Sequence, residues 1–307
     1  MDRIDTHHHI VPAFYRAWLE RRGHDAGGMP IPQWSPQSAL AFMDEHKIET
    51  AILSVSTPGA YIGDAAEARE IARRLNVETA EIVAKNPKRY GFFATLSLPD
   101  VEGSVEEARR AYDELKADGI VLMTNTDGIY MGDPSLDPLM ALLNERHAVV
   151  FLHPGALPAK LARDIPAYVA DFLLDTVRTA VSICKAGWFE RFPNVRFILS
   201  HAGGFVPFAA YRIARACDAD GNIPLGMERL KKFYVDTAVA SSPTSLPSLF
   251  AFADTARITY GSDLPYANAA RAAGFTGMLD AYPMDAALRT AIARENALAL
   301  FPRLARR

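Results

Sequence analysis

The chain has only two cysteines in 307 residues, Cys184 and Cys217, and they stand far apart in the sequence. That excludes a disulfide framework and a thiolate zinc site, and it fits buried thiols in a reducing compartment. No apolar run reaches the roughly 20 residues that a membrane-spanning helix needs. No basic segment followed by an apolar run stands at the start. A cytoplasmic protein without membrane contact is expected. Positive charge is not in excess: 33 Lys and Arg against 36 Asp and Glu give a net charge of −3. That balance excludes the basic footprint of a nucleic-acid binder. No Gly-rich phosphate loop follows the first β-like run, which argues against a dinucleotide fold. No linker rich in Gly, Pro and Ser divides the sequence, so residues 1–307 are expected to form one domain.

Half of the residues are apolar, enough for a large core. Short β-rich runs alternate with helical stretches. The runs are Arg3–His9, Thr50–Ser54, Tyr90–Leu96, Gly119–Met123, Ala148–His153, Val195–His201, Phe233–Thr237 and Ile258–Gly261. Several are nearly unbroken apolar segments, the signature of strands buried on both faces. Helical patterns cover Ser35–His46, Asp64–Asn86, Ser104–Asp118, Leu136–Arg146, Ile165–Arg191 and Pro207–Ala216. Eight strand-then-helix units predict an α/β protein with a (β/α)8 barrel of the TIM type. An open doubly wound sheet is the alternative.

The polar residues fall at the carboxyl ends of these strands, where a barrel builds its active site. His7 and His9 close the first strand, in D-T-H-H-H. Side chains alternate along a strand, so both rings face one side, their Cα atoms roughly 7 Å apart, and His8 faces the other. His153 ends the fifth strand in F-L-H-P-G, His201 the sixth in L-S-H-A-G-G, and Asp263 follows the eighth in Y-G-S-D-L-P-Y. Three imidazoles and a carboxylate make a mononuclear divalent-metal site with positions left for water or substrate. We assign His7, His9, His153 and Asp263 to the ion. His201 then handles protons beside it. The converse, with His201 on the ion and Asp263 as base, is equally consistent with the spacing. The fourth strand carries no lysine to bridge a second ion. Asp236, at the end of the seventh strand, reads either as a residue orienting a ligand or as a structural carboxylate. His24, His46 and His147 read as surface or capping residues. Phe14, Tyr15 and Trp18 on one side, and Leu264 and Tyr266 on the other, are candidates to wall a pocket. Gly23–Trp34, rich in Gly and Pro, reads as a lid, and Asn125–Pro134 as a second pocket-shaping loop.

Taken together, D-T-H-H-H-I-V-P, F-L-H-P, R-F-P-N-V-R-F-I-L-S-H-A-G-G and Y-G-S-D-L-P-Y resemble the amidohydrolase superfamily, in its aminocarboxymuconate-semialdehyde decarboxylase-like branch. The likeness spans almost the whole chain. It implies a distorted barrel, one Zn2+ or Mn2+ on His7, His9, His153 and Asp263, and a proton-handling His201. The triple histidine and D-T-V-R-T-A-V-S at Asp175–Ser182 look most like the 6-methylsalicylate decarboxylase group. Relatives that act on γ-resorcylate carry Glu where His7 stands, so that substrate is disfavoured. The resemblance also implies a homodimer or a higher homo-oligomer. An arginine placed like Arg212 crosses the interface there to grip the substrate carboxylate; Arg215 is the second candidate.

The expected activity is therefore metal-dependent, non-oxidative decarboxylation of a small phenolic or enolic carboxylic acid. The same constellation would suit a lactone or amide hydrolase, or a hydratase, with Asp263 taking a proton from water and His201 stabilising an oxyanion. A metal-binding protein without catalysis is the third reading.

Overall fold

A computed structural model describes residues 2–160 and 162–306. Eight parallel strands form one sheet: β1 (Arg3–His9), β2 (Ile48–Ser54), β3 (Tyr90–Thr95), β4 (Gly119–Met123), β5 (Val149–His153), β6 (Arg196–Leu199), β7 (Tyr234–Asp236) and β8 (Ile258–Thr259). Each pairs with the next in chain order. A bridge between Asp5 and Tyr260, with Thr6 N donating to the Tyr260 carbonyl at 2.9 Å, brings the last strand back to the first. Helices occupy the connections, and the result is the expected (β/α)8 barrel.

The barrel interior is apolar because the strands turn Ile4, Ile52, Phe93, Val121, Phe151 and Ile198 inward. Leu300, Phe301 and Leu304, from the C-terminal segment, join that cluster. Stacked Phe93 and Phe151, with ring centroids 5.4 Å apart, fill the middle. The His7 ring sits on Phe151 at 4.8 Å. Ile4 and His7 both face inward although they lie an odd number of residues apart. A register shift between Asp5 and His8 changes the parity of β1 and makes this possible.

Three strands that lead into the site stop short of their sequence patterns at the carboxyl end. β6 stops at Leu199, β7 at Asp236 and β8 at Thr259. His201, Ala202, Val239 and Asp263 then adopt left-handed φ of 52°, 56°, 53° and 62°. Such backbone is costly for residues with a Cβ and clusters at functional sites. The helical pattern over Ile165–Arg191 also divides. Asp171–Lys185 is one helix, and Gly187 at φ 64° separates it from the short turn Trp188–Arg191. The helices Ala13–Arg21, Ile223–Leu230, Ser245–Phe252 and Ala269–Ala281 had no counterpart in the sequence pattern. No described helix is long and apolar enough to cross a membrane.

Candidate metal centre and active-site cavity

The donor atoms of His7, His153, His201 and Asp263 lie within 4.8 Å of one another at the carboxyl ends of the strands. His9 joins them: its Nε2 is 3.0 Å from His7 Nε2 and 3.2 Å from Asp263 Oδ1. His7 Nε2 is 3.3 Å from the same carboxylate oxygen. All five residues, from β1, β5 and the turns that follow β6 and β8, thus converge on one point. His8 points away, its Nδ1 3.0 Å from Asp5 Oδ2.

Each imidazole is held by its Nδ1. His7 Nδ1 is 2.8 Å from Asp236 Oδ2, His9 Nδ1 3.3 Å from the Ser54 carbonyl, His153 Nδ1 3.0 Å from the Pro154 carbonyl, and His201 Nδ1 3.0 Å from the Ala238 carbonyl. A carbonyl or carboxylate accepts only a proton, so the Nδ1–H tautomer is selected. The four Nε2 atoms are then left to face the centre, as lone pairs wherever the imidazole is neutral. Carboxylate-backed histidine is the usual way a metal ligand is oriented. These residues fit a divalent ion.

Electrostatics agree with the geometry. Burial, and then repulsion between its charged form and His9, His7 and His201, pushes His153 well below the ordinary imidazole value; His201 is lowered by burial and by His7. Burial also lowers His9, to about 4. Burial would lower His7 too, but Asp236 and then Asp263 outweigh it and push His7 up to about 10. For Asp263, burial works upward. The contacts with His7 and His9 overcome it and hold the carboxyl well below the usual carboxylate range.

Two further carboxylates keep the centre in place. Asp236 Oδ1 accepts from His201 N at 3.0 Å and Ala238 N at 2.9 Å, while its Oδ2 meets His7. It therefore sets both the His7 ring and the turn that carries His201. Both readings of Asp236 have a counterpart here: it meets the His7 ring and it ties down backbone N–H groups. Asp5 accepts from His7 N and Ser262 N, each at 3.1 Å, and from Ser262 Oγ at 2.6 Å. It ties the first strand to the segment that delivers Asp263. Asp5 stood in D-T-H-H-H, but nothing in its spacing separated it from an ordinary strand residue. Gly261 is needed next to this bundle: a Cβ there would lie 2.7 Å from the His7 Cβ.

A cavity of about 300 Å³ opens above the centre. His153, His201 and Asp263 reach its floor, whereas His7 and His9 lie beneath, fully buried. Tyr266 lines it, with a ring 5.3 Å from that of His9 and a buried hydroxyl that has no partner among the described residues. The remaining wall is largely apolar and aromatic, with Met29, Tyr168, Phe172 and Phe275. Ala26 and Met29 come from the loop read as a lid, so that loop does cover the site. The loop after β4 does not line the cavity. Arg271, exposed and without an ion pair among the described residues, stands at its edge. Sequence reasoning missed Arg271, Phe172 and Phe275, because arginine and phenylalanine on helices are ordinary.

Phe14, Tyr15, Trp18 and Leu264 are not among the residues lining this cavity. Tyr15 is buried and donates to the Gly59 carbonyl at 2.7 Å. Phe14 turns outward under the Arg74 guanidinium, 3.8 Å from the ring centroid. Arg212 lies on the outer face of the helix Val206–Ala214 and does not reach the cavity of its own chain. A second cavity, about 360 Å³, lies near the amino ends of β1 and β2. Both of its arginines are already engaged: Arg3 with Asp280 at 2.6 Å, and Arg289 with the Leu279 and Tyr282 carbonyls. No cluster of convergent imidazoles marks it.

Residues 4–303 match the amidohydrolase family. The chain belongs to that family. It is 36% identical to the 6-methylsalicylic acid decarboxylase of Aspergillus aculeatus, over 99% of this chain and 97% of that one. An amidohydrolase II crystal structure superposes with a TM-score of 0.93 at 30% identity, covering 98% of this chain and all of the other. A dihydroxybenzoic acid decarboxylase from Polaromonas, holding manganese and the inhibitor 2-nitroresorcinol, superposes with a TM-score of 0.80 at 25% identity. The alignment covers 98% of this amidohydrolase and 97% of that structure.

Proposed function

We propose that the protein is a carboxy-lyase: a metal-dependent, non-oxidative decarboxylase of a small phenolic carboxylic acid of the salicylate type. One observation carries this reading. Four Nε2 atoms and one carboxylate converge under an apolar, aromatic-walled cavity sized for a substituted benzoate. We assign His7, His9, His153 and Asp263 to a single divalent ion. Zn2+ suits the nitrogen-rich donors, and Mn2+ is the alternative given the Polaromonas enzyme. When bound, the ion supplies a Lewis acid and a template for phenolic and carboxylate oxygens.

The chain's residues would then act as follows. Neutral His201, with Nδ1–H on the Ala238 carbonyl, offers its Nε2 lone pair to the phenolic proton. It returns that proton to the ring carbon bearing the carboxylate. The bond from this carbon to the carboxyl carbon breaks, CO2 leaves, and the electron pair restores the aromatic ring. Solvent re-protonates the phenolate as product departs. We favour His201 over Asp263 as the proton carrier because the contacts with His7 and His9 hold the Asp263 carboxyl well below the usual carboxylate range. Tyr266 offers an unpartnered hydroxyl to the substrate, Phe172 and Phe275 hold the ring, and Arg271 meets its negative charge at the mouth. The assay is direct. Metal-loaded protein given a panel of salicylates should release CO2 and lose phenolic-acid absorbance. Silence there, with turnover of lactones, would favour the hydrolase reading.

Coordination must also displace a proton. In metal-free protein His7 is charged at pH 7.5, since its pKa is about 10, and it must lose a proton to offer Nε2. Loading should therefore release about one proton per ion, and affinity should rise with pH. Titration calorimetry in buffers of different ionisation enthalpy measures this; a count of zero would mean that His7 is already neutral before the ion arrives.

We also propose a homodimer, built on the helix Val206–Ala214. Phe208 and Tyr211 there are 86% and 75% exposed, beside Arg212. Large exposed aromatics mark association surfaces. Arg212 would enter the partner's site. Sedimentation should give a dimer, and Arg212→Ala should raise KM about 10-fold, the cost of one charge-assisted hydrogen bond. A monomer at assay concentration, or an unchanged KM, rejects this role. Two buried free thiols support a reducing compartment, such as the cytoplasm.

A further inference from the structure

D-T-V-R-T-A-V-S, the segment 175–182, lies on the helix Asp171–Lys185 and carries no residue of the centre described above. Its first residue is nonetheless built into the molecule with unusual care. Asp175 is completely buried and forms no ion pair among the described residues. Its carboxylate accepts instead from four different groups: the Thr124 hydroxyl, Asn125 Nδ2 at 3.0 Å, the Tyr130 hydroxyl at 2.7 Å and Gly155 N at 3.0 Å. Thr179, one turn on, donates to the Thr124 carbonyl at 2.5 Å, and Arg178 donates to the Tyr130 hydroxyl at 3.3 Å. The segment therefore grips the end of β4 and the small hairpin after it, in which Asn125–Thr126 pairs with Ile129–Tyr130.

The Gly155 contact leads to the centre. Gly155 follows Pro154, whose carbonyl accepts from His153 Nδ1 at 3.0 Å and so fixes the tautomer that frees Nε2. The same short stretch is held by Thr124 N on the His153 carbonyl at 2.8 Å and by Asn125 Nδ2 on the Ala156 carbonyl at 3.0 Å. Asp175 engages Thr124, Asn125 and Gly155 together. It also sits one turn after Phe172, whose ring lines the cavity 6.4 Å from that of His153.

We propose that Asp175 is a positioning residue for the metal centre: through Gly155 and Thr124 it holds the Pro154 carbonyl that aims His153. This rests on the assignment of His153 as a ligand. A carboxylate accepting from four donors is suited to the task because it needs no proton of its own and can satisfy four groups at once. A carboxamide cannot: one of its two ends donates, and Asn125 and Tyr130 would then meet a donor.

Asp175→Asn is the test, read by metal affinity against a competing chelator, by the visible spectrum of the cobalt-loaded protein and by thermal stability. Thr124→Val, which removes one hydroxyl of the same network, is the milder second variant should Asp175→Asn not fold. Weakening of the ion by about 10- to 100-fold, the usual effect of removing a group behind a ligand, with an altered cobalt spectrum, supports the proposal. The Thr124 variant should move the same way by less. A fall in stability alone, with affinity and spectrum unchanged in the folded variants, overturns it and leaves Asp175 a structural residue. His153→Ala runs alongside: unaltered affinity there would remove His153 from the ligand set, overturning the parent assignment and this proposal with it.

Discussion

His201→Ala is expected to bind its ion in full stoichiometry and to lose turnover by about 10²- to 10⁴-fold, the usual contribution of a positioned acid–base group. The reason is geometric. His201 lines the cavity floor and is more accessible than His7 and His9, which lie beneath it. With the four proposed ligands His7, His9, His153 and Asp263 in place, the ion is expected not to depend on it. The substitution keeps the hydrogen bond from His201 N to Asp236, because that contact is made by the backbone. The left-handed φ of 52° is a cost the original residue also bears. His201→Asn, whose side chain tolerates that region better, separates folding from chemistry. Metal content and single-turnover CO2 release are the measurements. Loss of the ion in both variants would place His201 among the ligands instead.

His153→Ala is expected to lose both ion and turnover. In the proposed assignment His153 is the ligand contributed by β5, across the barrel from the pair on β1, and its Nδ1 is committed to the Pro154 carbonyl. Without it the ion keeps His7, His9 and Asp263 on one side only. Activity should fall to background, and added metal should not restore it at micromolar concentration. Wild-type affinity in this variant would refute the ligand assignment.

Much of this was legible in the sequence, and the reasons differ from residue to residue. Apolar strand runs predicted the barrel because strands buried on both faces need little but hydrophobicity. The positions of His153 and Asp263 followed from where those runs stop. His201 proved to sit past its strand, in a left-handed turn, because Asp236 captures its backbone N–H; a long-range hydrogen bond leaves no local pattern. The roles of Asp5 and Asp175 were hidden for the same reason. Tyr266 lines the cavity as expected. Phe14 and Tyr15 do not, because the helix after β1 turns Tyr15 into the core and Phe14 toward Arg74. Proximity to a metal ligand in the sequence says little about which face a helical residue presents.

The most direct test of the central claim is an anomalous-scattering map from crystals of the metal-loaded protein soaked with a non-reactive salicylate analogue. The account predicts one peak per chain, bounded by His7, His9, His153 and Asp263, with the analogue's oxygens on its open side and His201 beside the ring. A map with no peak there, or with the analogue bound elsewhere, would contradict it.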